Sequence, residues 1–382
     1  MALSPVLAEQ STYPFVRLDR AKQDARARGA RIIDFGQGDP REPTDPLIRR
    51  ALEEGIAETM GYPKAEGLPE LRRAIASWIG RRFAVELDPD SELIPTLGSK
   101  EAIFSFPQVF VDVGGGKDVV LVPDPAYPVY ERGAEFAGAT IVRLPLREEH
   151  GFLPDFAALE PATLDRTALA WVNYPNNPTA ATAPLALYDE LAALAAEHDF
   201  LICSDEAYSE LWFDEPPASA LEACDRSRTV VFNTLSKRSS MTGYRSGFVA
   251  APSWVIDALR KYRPSVGTAP QEFVQRASIA AWEDETHVER ARAVYRRKRD
   301  VLVAAFERIG WRAAGKDATM YLWLALPHGE TSEEAAERLL EAGIVVAPGA
   351  YLGEAGEGYV RVALVPSIED CERAAEILGT LA

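Results

Sequence analysis

The chain has 382 residues, 47% of them hydrophobic and 26% charged, and carries a formal net charge of −17. That length and composition suit a globular protein with room for two domains and a large core. The negative balance argues against nucleic acid or an anionic membrane as the main partner, while leaving room for a locally basic site.

The opening stretch MALSPVLAEQ lacks a basic leader and a full apolar run, so no signal peptide is predicted. No apolar run approaches the ~18 residues of a membrane span. Cys203, Cys224 and Cys371 are odd in number and far apart. They form neither a disulfide framework nor a metal-ligand pattern, and the expected compartment is a reducing cytoplasm.

Residues 15–30 read as an Arg- and Ala-rich helix and 31–35 as a short strand. Gly36-Gln37-Gly38-Asp39-Pro40 reads as a tight turn, not a dinucleotide fingerprint, because its glycine spacing stops at G-x-G and a proline follows. Helices are predicted over 46–59 and 69–83, the second opening on Pro69. Pro95 to Ala102 leads into a helix reaching about Val111, and Gly98-Ser99 at its start suits an anion or a plain Ser cap. Gly114-Gly115-Gly116-Lys117 lacks phosphate-loop spacing and precedes a strand, so it reads as a turn.

Strands follow at 119–123, 140–144, 168–172, 200–204, 229–233 and 246–250, with helices over 127–137, 185–198 and 252–263. This alternation, with near-continuous apolar strands, means a mostly parallel sheet covered on both faces. In such sheets ligands sit at the C-terminal ends of the strands. After about residue 275 the pattern becomes α+β: a long charged helix over 286–309, strands at 319–325, 344–346 and 359–364, and helices at 331–342 and 367–380. The expected division is a large domain over 46–274 and a smaller, discontinuous one from 1–45 and 275–382.

The stretch from Thr229 to Ala250, TVVFNTLSKRSSMTGYRSGFVA, places a lysine just past a core strand. Lys237 suits a Schiff base with an aldehyde cofactor. Ser236 and Arg245 suit that cofactor's phosphate; a solvated basic loop is the plainer alternative. Other strand ends offer Tyr127 for stacking on a planar ring, Asn177 and Tyr208 as donors to a phenolic oxygen, and Asp205 for a ring N–H⁺. Taken singly, Tyr127 also reads as core, Asn177 as a turn residue before Pro178, and Asp205-Glu206 as a helix cap.

Together, NYPNNPT at 173–179, SDEAY at 204–208, SKRSSMTGYRSG at 236–247 and YVRVAL at 359–364 resemble the class I/II aminotransferases of fold type I, over essentially the whole chain. The resemblance implies pyridoxal 5'-phosphate as cofactor and an α/β large domain built on a mostly parallel seven-stranded sheet. It implies that Lys237, Asp205 and Tyr208 are catalytic: the Schiff-base lysine, the acid on the pyridine nitrogen and, with Asn177, a contact to the 3′-oxygen. Ser99 and Lys100 through their backbone, with Ser236 and Arg245, match the phosphate site, and Tyr127 the ring-stacking aromatic. Tyr62 matches a tyrosine that reaches the phosphate from the other subunit, which implies a homodimer with shared active sites. Arg361 matches the clamp on the substrate α-carboxylate, with Gly38 and Asn177 beside it. The family often continues N-P-T with glycine, where this chain has Ala180, and GQGDP is a variant of the usual glycine turn.

Within the family, GSKE at 98–101 and GIVVAPGAYLGEAGEGYVRVAL at 343–364 look most like N-succinyldiaminopimelate aminotransferases of lysine biosynthesis. That implies exchange of an amino group between glutamate and N-succinyl-2-amino-6-oxopimelate. Arg41, Lys64 and Arg263 are candidates for the distal carboxylates, each also readable as a surface residue. The alternatives are an aspartate- or aromatic-type aminotransferase, then a β-lyase or synthase on the same scaffold. No metal site and no nucleic-acid or membrane partner is expected.

Overall fold

The computed structural model describes residues 3–8 and 15–381. Residues 1, 2, 9–14 and 382 lie outside the described residues, and with them both ends of the stretch read for a signal peptide. The described strands, in chain order, are β1 Ile33–Asp34, β2 Leu93–Thr96, β3 Val119–Asp124, β4 Thr140–Pro145, β5 Thr167–Asn173, β6 Leu201–Asp205, β7 Thr229–Thr234, β8 Gly247–Ala250, β9 Arg312–Gly315, β10 Tyr321–Ala325, β11 Ile344–Val345, β12 Ala347–Pro348 and β13 Tyr359–Ala363.

Seven of them form one sheet in the order β2-β8-β7-β6-β5-β3-β4. The pairs from β4 to β7 are parallel, and β8 runs antiparallel to both β7 and β2. The interior strands β3, β5, β6 and β7 are buried at every position, which is why their sequences are largely apolar, with polar residues mainly at their ends. Helices Pro69–Phe83, Leu185–His198 and Glu272–Glu283 cover one face, packing Trp78, Leu191 and Trp282 into its core. Helices Ser99–Ser105, Val129–Phe136 and Ser253–Val266 cover the other, around Phe106, Tyr130, Trp171 and Phe232. Burying each such side chain contributes roughly 1.5–3 kcal/mol.

Helix Pro69–Phe83 matches its sequence signals: proline in its first turn, Glu70 near its N-terminus and Arg81 and Arg82 near its C-terminus, all in accord with the helix dipole. The helix expected from 99 to about 111 is broken into Ser99–Ser105 and Pro107–Phe110, because Pro107 cannot donate to the preceding turn. Gly114 to Gly116 form the expected turn, with Asp112 bridged to Lys117 and its Oδ1 accepting from Gly115 N at 2.8 Å.

The smaller domain holds the antiparallel sheet β12-β13-β10-β9 and a hydrophobic core that includes Phe306, Trp311, Leu322 and Leu339. Strand β1 pairs in parallel with β11, Ile33 opposite Ile344, and ties the N-terminal segment to the C-terminal part of the chain. No helix among the described residues is long and apolar enough to cross a membrane.

Candidate active site

A cavity of about 370 Å³ opens where the parallel strands end. Asn173, Asp205 and Thr234, the last residues of β5, β6 and β7, all line it. One helical turn, Leu235–Arg238, follows β7, and the Thr234 hydroxyl caps it by accepting from Ser236 N at 3.1 Å. That turn carries Lys237 into the cavity, where its Nζ donates to Gly38 O at 2.5 Å. Burial lowers the basicity of the Lys237 amine, so more of it is neutral and nucleophilic.

Asp205 is 4% exposed. Its Oδ2 accepts from the Tyr130 hydroxyl at 2.7 Å and its Oδ1 from Ala207 N at 3.2 Å. Burial pushes this carboxyl up to about 6, against the opposing pull of those two bonds and of the Lys237 charge. Asn173 joins the neighbouring strand ends: its Nδ2 donates to Asp205 O at 2.7 Å and its Oδ1 accepts from Asn177 N at 2.8 Å.

From the smaller domain, Arg361 on β13 donates through Nη1 to Asn177 Oδ1 and through Nη2 to Gly36 O, both at 2.9 Å. Its guanidinium lies 4.5 Å over the ring of Tyr321 on β10, and the Tyr321 and Tyr208 hydroxyls are 3.0 Å apart. A Cβ at Gly38 would meet the Tyr321 hydroxyl at 1.9 Å, so this turn requires glycine whatever its variant spelling. At the other end of the cavity, Arg245 donates to Thr242 O at 2.9 Å and Leu97 O at 3.0 Å. Gly98 stands at φ 73°, a backbone conformation that favours glycine, with Arg245 Nη2 2.8 Å from where a Cβ would lie. Ser99, Lys100 and Ser236 line the same cavity, making this end cationic and rich in donors.

Gly38, Ser99, Lys100, Tyr127, Asn177, Asp205, Tyr208, Ser236, Lys237, Arg245 and Arg361 thus share one cavity. Tyr62 does not: it is fully exposed and borders a separate cavity of about 680 Å³ with Arg260 and Pro264. Arg41, Lys64 and Arg263 are not brought in either. Arg263 is buried against Glu101, with Nη2 at 2.9 Å from Oε1; Lys64 borders the separate cavity; Arg41 points to Asp34 at 4.0 Å. The sequence reading missed Asp39, Tyr130, Asn173, Tyr321 and Leu352. Tyr130 had a signal: it lies three residues after Tyr127, a spacing that shares one face in the helix expected over 127–137, although the helix begins only at Val129. Ala180 stands at φ 57°, the left-handed region that explains glycine at this point of the family motif.

The donor set fits pyridoxal phosphate: an amine of lowered basicity for an aldehyde carbon, a buried carboxyl for a ring nitrogen, hydroxyl and amide donors for a ring oxygen, an aromatic wall, and a donor-rich end for a phosphate. The family model for aminotransferase class I and II matches residues 30–378. The LL-diaminopimelate aminotransferase of Dehalococcoides mccartyi is 40% identical over 379 residues, covering 98% of this chain and 97% of that protein. The protein of the same name from Aquifex aeolicus is 41% identical over 375 residues, 97% and 96% of the two chains. A solved single mutant of Thermus thermophilus aspartate aminotransferase superposes with a TM-score of 0.92 at 31% identity, covering 100% of both chains. With its lysine, carboxyl and arginine gathered at the strand ends of this fold, the chain belongs to the class I and II aminotransferases and is a pyridoxal-phosphate-dependent transaminase.

Proposed function

We propose that this transaminase acts on free diaminopimelate, reversibly moving one of its amino groups to 2-oxoglutarate to leave an amino-oxo diacid and glutamate, and that Lys237, Asp205, Tyr208, Asn177 and Arg361 carry the reaction. The observation behind the residue roles is their meeting in one cavity from the ends of β5, β6 and β7 and from β13 of the smaller domain. When bound, the cofactor supplies an electrophilic carbon for the amino group and a ring that takes up electrons released at the substrate Cα. Lys237 Nζ, whose basicity burial lowers, would take the proton from that Cα and return it on the cofactor side. Asp205 keeps the ring nitrogen protonated, while Tyr208 and Asn177 donate to the ring oxygen. Tyr127 stacks on the ring. Ser99 and Lys100 through their backbone, with Ser236 and Arg245, hold the phosphate. Arg361 pairs with the α-carboxylate, already oriented by Asn177 and Gly36, and Gly38 lies beside it.

The substrate reading departs from a succinylated one on two grounds. The relatives at 40% and 41% identity carry the name of the free diamino acid. The arginines and lysine proposed for a succinyl carboxylate lie outside the cavity, whereas the carboxylate of Asp39 lines it beside Lys237 and suits a distal ammonium. The domain division at 46–274 against 1–45 with 275–382 and the homodimer completed by Tyr62 are part of the same proposal.

The test is the half-reaction followed by absorbance. Glutamate and LL-diaminopimelate are each expected to shift the visible band of the purified enzyme to shorter wavelength, with N-succinyl-LL-diaminopimelate and aspartate at least ~10-fold slower. Lys237→Ala is expected to lose the shift with every donor. Equal rates with the succinylated donor would return the reading to a succinyl substrate, and equal rates with aspartate would favour the aspartate-type alternative.

A further inference from the structure

We propose that Tyr130 is a positioning residue for the cofactor's pyridine ring, acting through Asp205. This rests on the reading of Asp205 as the partner of the ring nitrogen. Asp205 ends β6 in a buried position, and its two oxygens have separate anchors: Oδ1 on Ala207 N at 3.2 Å and Oδ2 on the Tyr130 hydroxyl at 2.7 Å. The backbone bond holds the loop, but the Tyr130 bond is the shorter and comes from another element, the helix Val129–Phe136. Removing one donor from a buried carboxylate favours its neutral form, and a neutral acid no longer pairs with a ring N–H⁺.

Tyr130 is built for this task. Its ring stacks on Trp171 of β5, centroids 4.9 Å apart and planes within 17°, which fixes the direction of the hydroxyl. Its edge meets Tyr127 at 5.8 Å and 83°, so one side chain braces both the acid and the aromatic wall. Burial and the neighbouring Asp205 raise the Tyr130 phenol, so it stays protonated and always a donor. The other titratable groups facing this pair are Lys237 after β7, Tyr208 after β6 and Tyr127. Of these, only Lys237 can carry a positive charge, and it is assigned to the reacting carbon. Tyr130 is therefore the neutral group that keeps Asp205 ionised and in place.

The experiment compares two ligands on cofactor-free protein by tryptophan fluorescence: pyridoxal phosphate and its 1-deaza analogue, which has carbon in place of the ring nitrogen. The parent is expected to prefer pyridoxal phosphate. Tyr130→Phe deletes one oxygen and retains the ring on Trp171; it is expected to shrink that preference about 10-fold or more. A ratio of affinities does not depend on the fraction of folded protein, so partial unfolding of the variant does not hide the answer. Equal weakening of both ligands, or a ratio within about twofold of the parent, would overturn the proposal by making Tyr130 a packing residue only. Asp205→Asn separates the two readings. If it leaves the ratio intact, the placement of Asp205 at the ring nitrogen fails. If it collapses the ratio while Tyr130→Phe does not, only the role of Tyr130 fails.

Discussion

Glu206 follows Asp205 in the chain yet does not line the cavity. Its Oε1 accepts from Ser204 Oγ at 3.0 Å and from Ala220 N at 2.8 Å, and its Oε2 has no partner among the described residues. Burial pushes this carboxyl from its ordinary 4.5 up to about 7. The folded state therefore holds a proton that the unfolded chain releases, and the stability linked to Glu206 is full below pH 4.5 and lost as pH rises through 7. Between those limits the loss is on the order of 3 kcal/mol. Glu206→Gln, which mimics the protonated acid, is expected to flatten the decline of denaturation midpoint from pH 5 to pH 8; an unchanged slope would show that Glu206 ionises normally. The SDEAY motif announced Asp205 and Tyr208, but nothing local to it announced Tyr130 or Tyr321. Their hydroxyls reach partners 75 and 113 positions away, so as sequence they look like core aromatics.

Among the elements, long apolar runs were legible and short or mixed ones were not. Strand β2 escaped notice because LIPT is four residues with a proline inside. Helix Glu272–Glu283 buries Gln275 and Ser278 among its apolar residues, which blurs its period. That helix matters to the site indirectly, since Ser278 Oγ lies 2.7 Å from Ser246 Oγ, next to Arg245. A second brace joins helix Ser253–Val266 to the helix that starts at Ser99. Arg263, with a 1% exposed side chain, holds both oxygens of Glu101, and Glu101 in turn accepts from Leu97 N at 2.9 Å. Arg263→Met leaves that carboxylate without its cation and is expected to cost roughly 3 kcal/mol in a urea melt, with weakened cofactor affinity. A loss below ~1 kcal/mol would mean that Glu101 is satisfied by Leu97 and water alone.

For the whole molecule, the displaced tyrosine is the informative residue. Tyr62 is exposed on a loop with Ile56 and Met60, also exposed, and does not line the cavity that holds Lys237. The proposed dimer makes it complete the neighbour's site, and complementation tests that directly. Lys237→Ala and Tyr62→Ala chains, each nearly inactive alone, are expected to recover about a quarter of parental activity per chain after unfolding and refolding together, since half the dimers then hold one intact site. No recovery would place Tyr62 in cis or outside the reaction. The division of the cavity itself has a use in engineering. The residues proposed to hold the cofactor, from Ser99 to Arg245, lie on or between the strands of the large sheet and the segments joining them, whereas Gln37, Asp39 and Leu352 come from stretches before and after that part of the chain. A library confined to those three positions varies what the enzyme selects while every proposed cofactor contact is inherited intact.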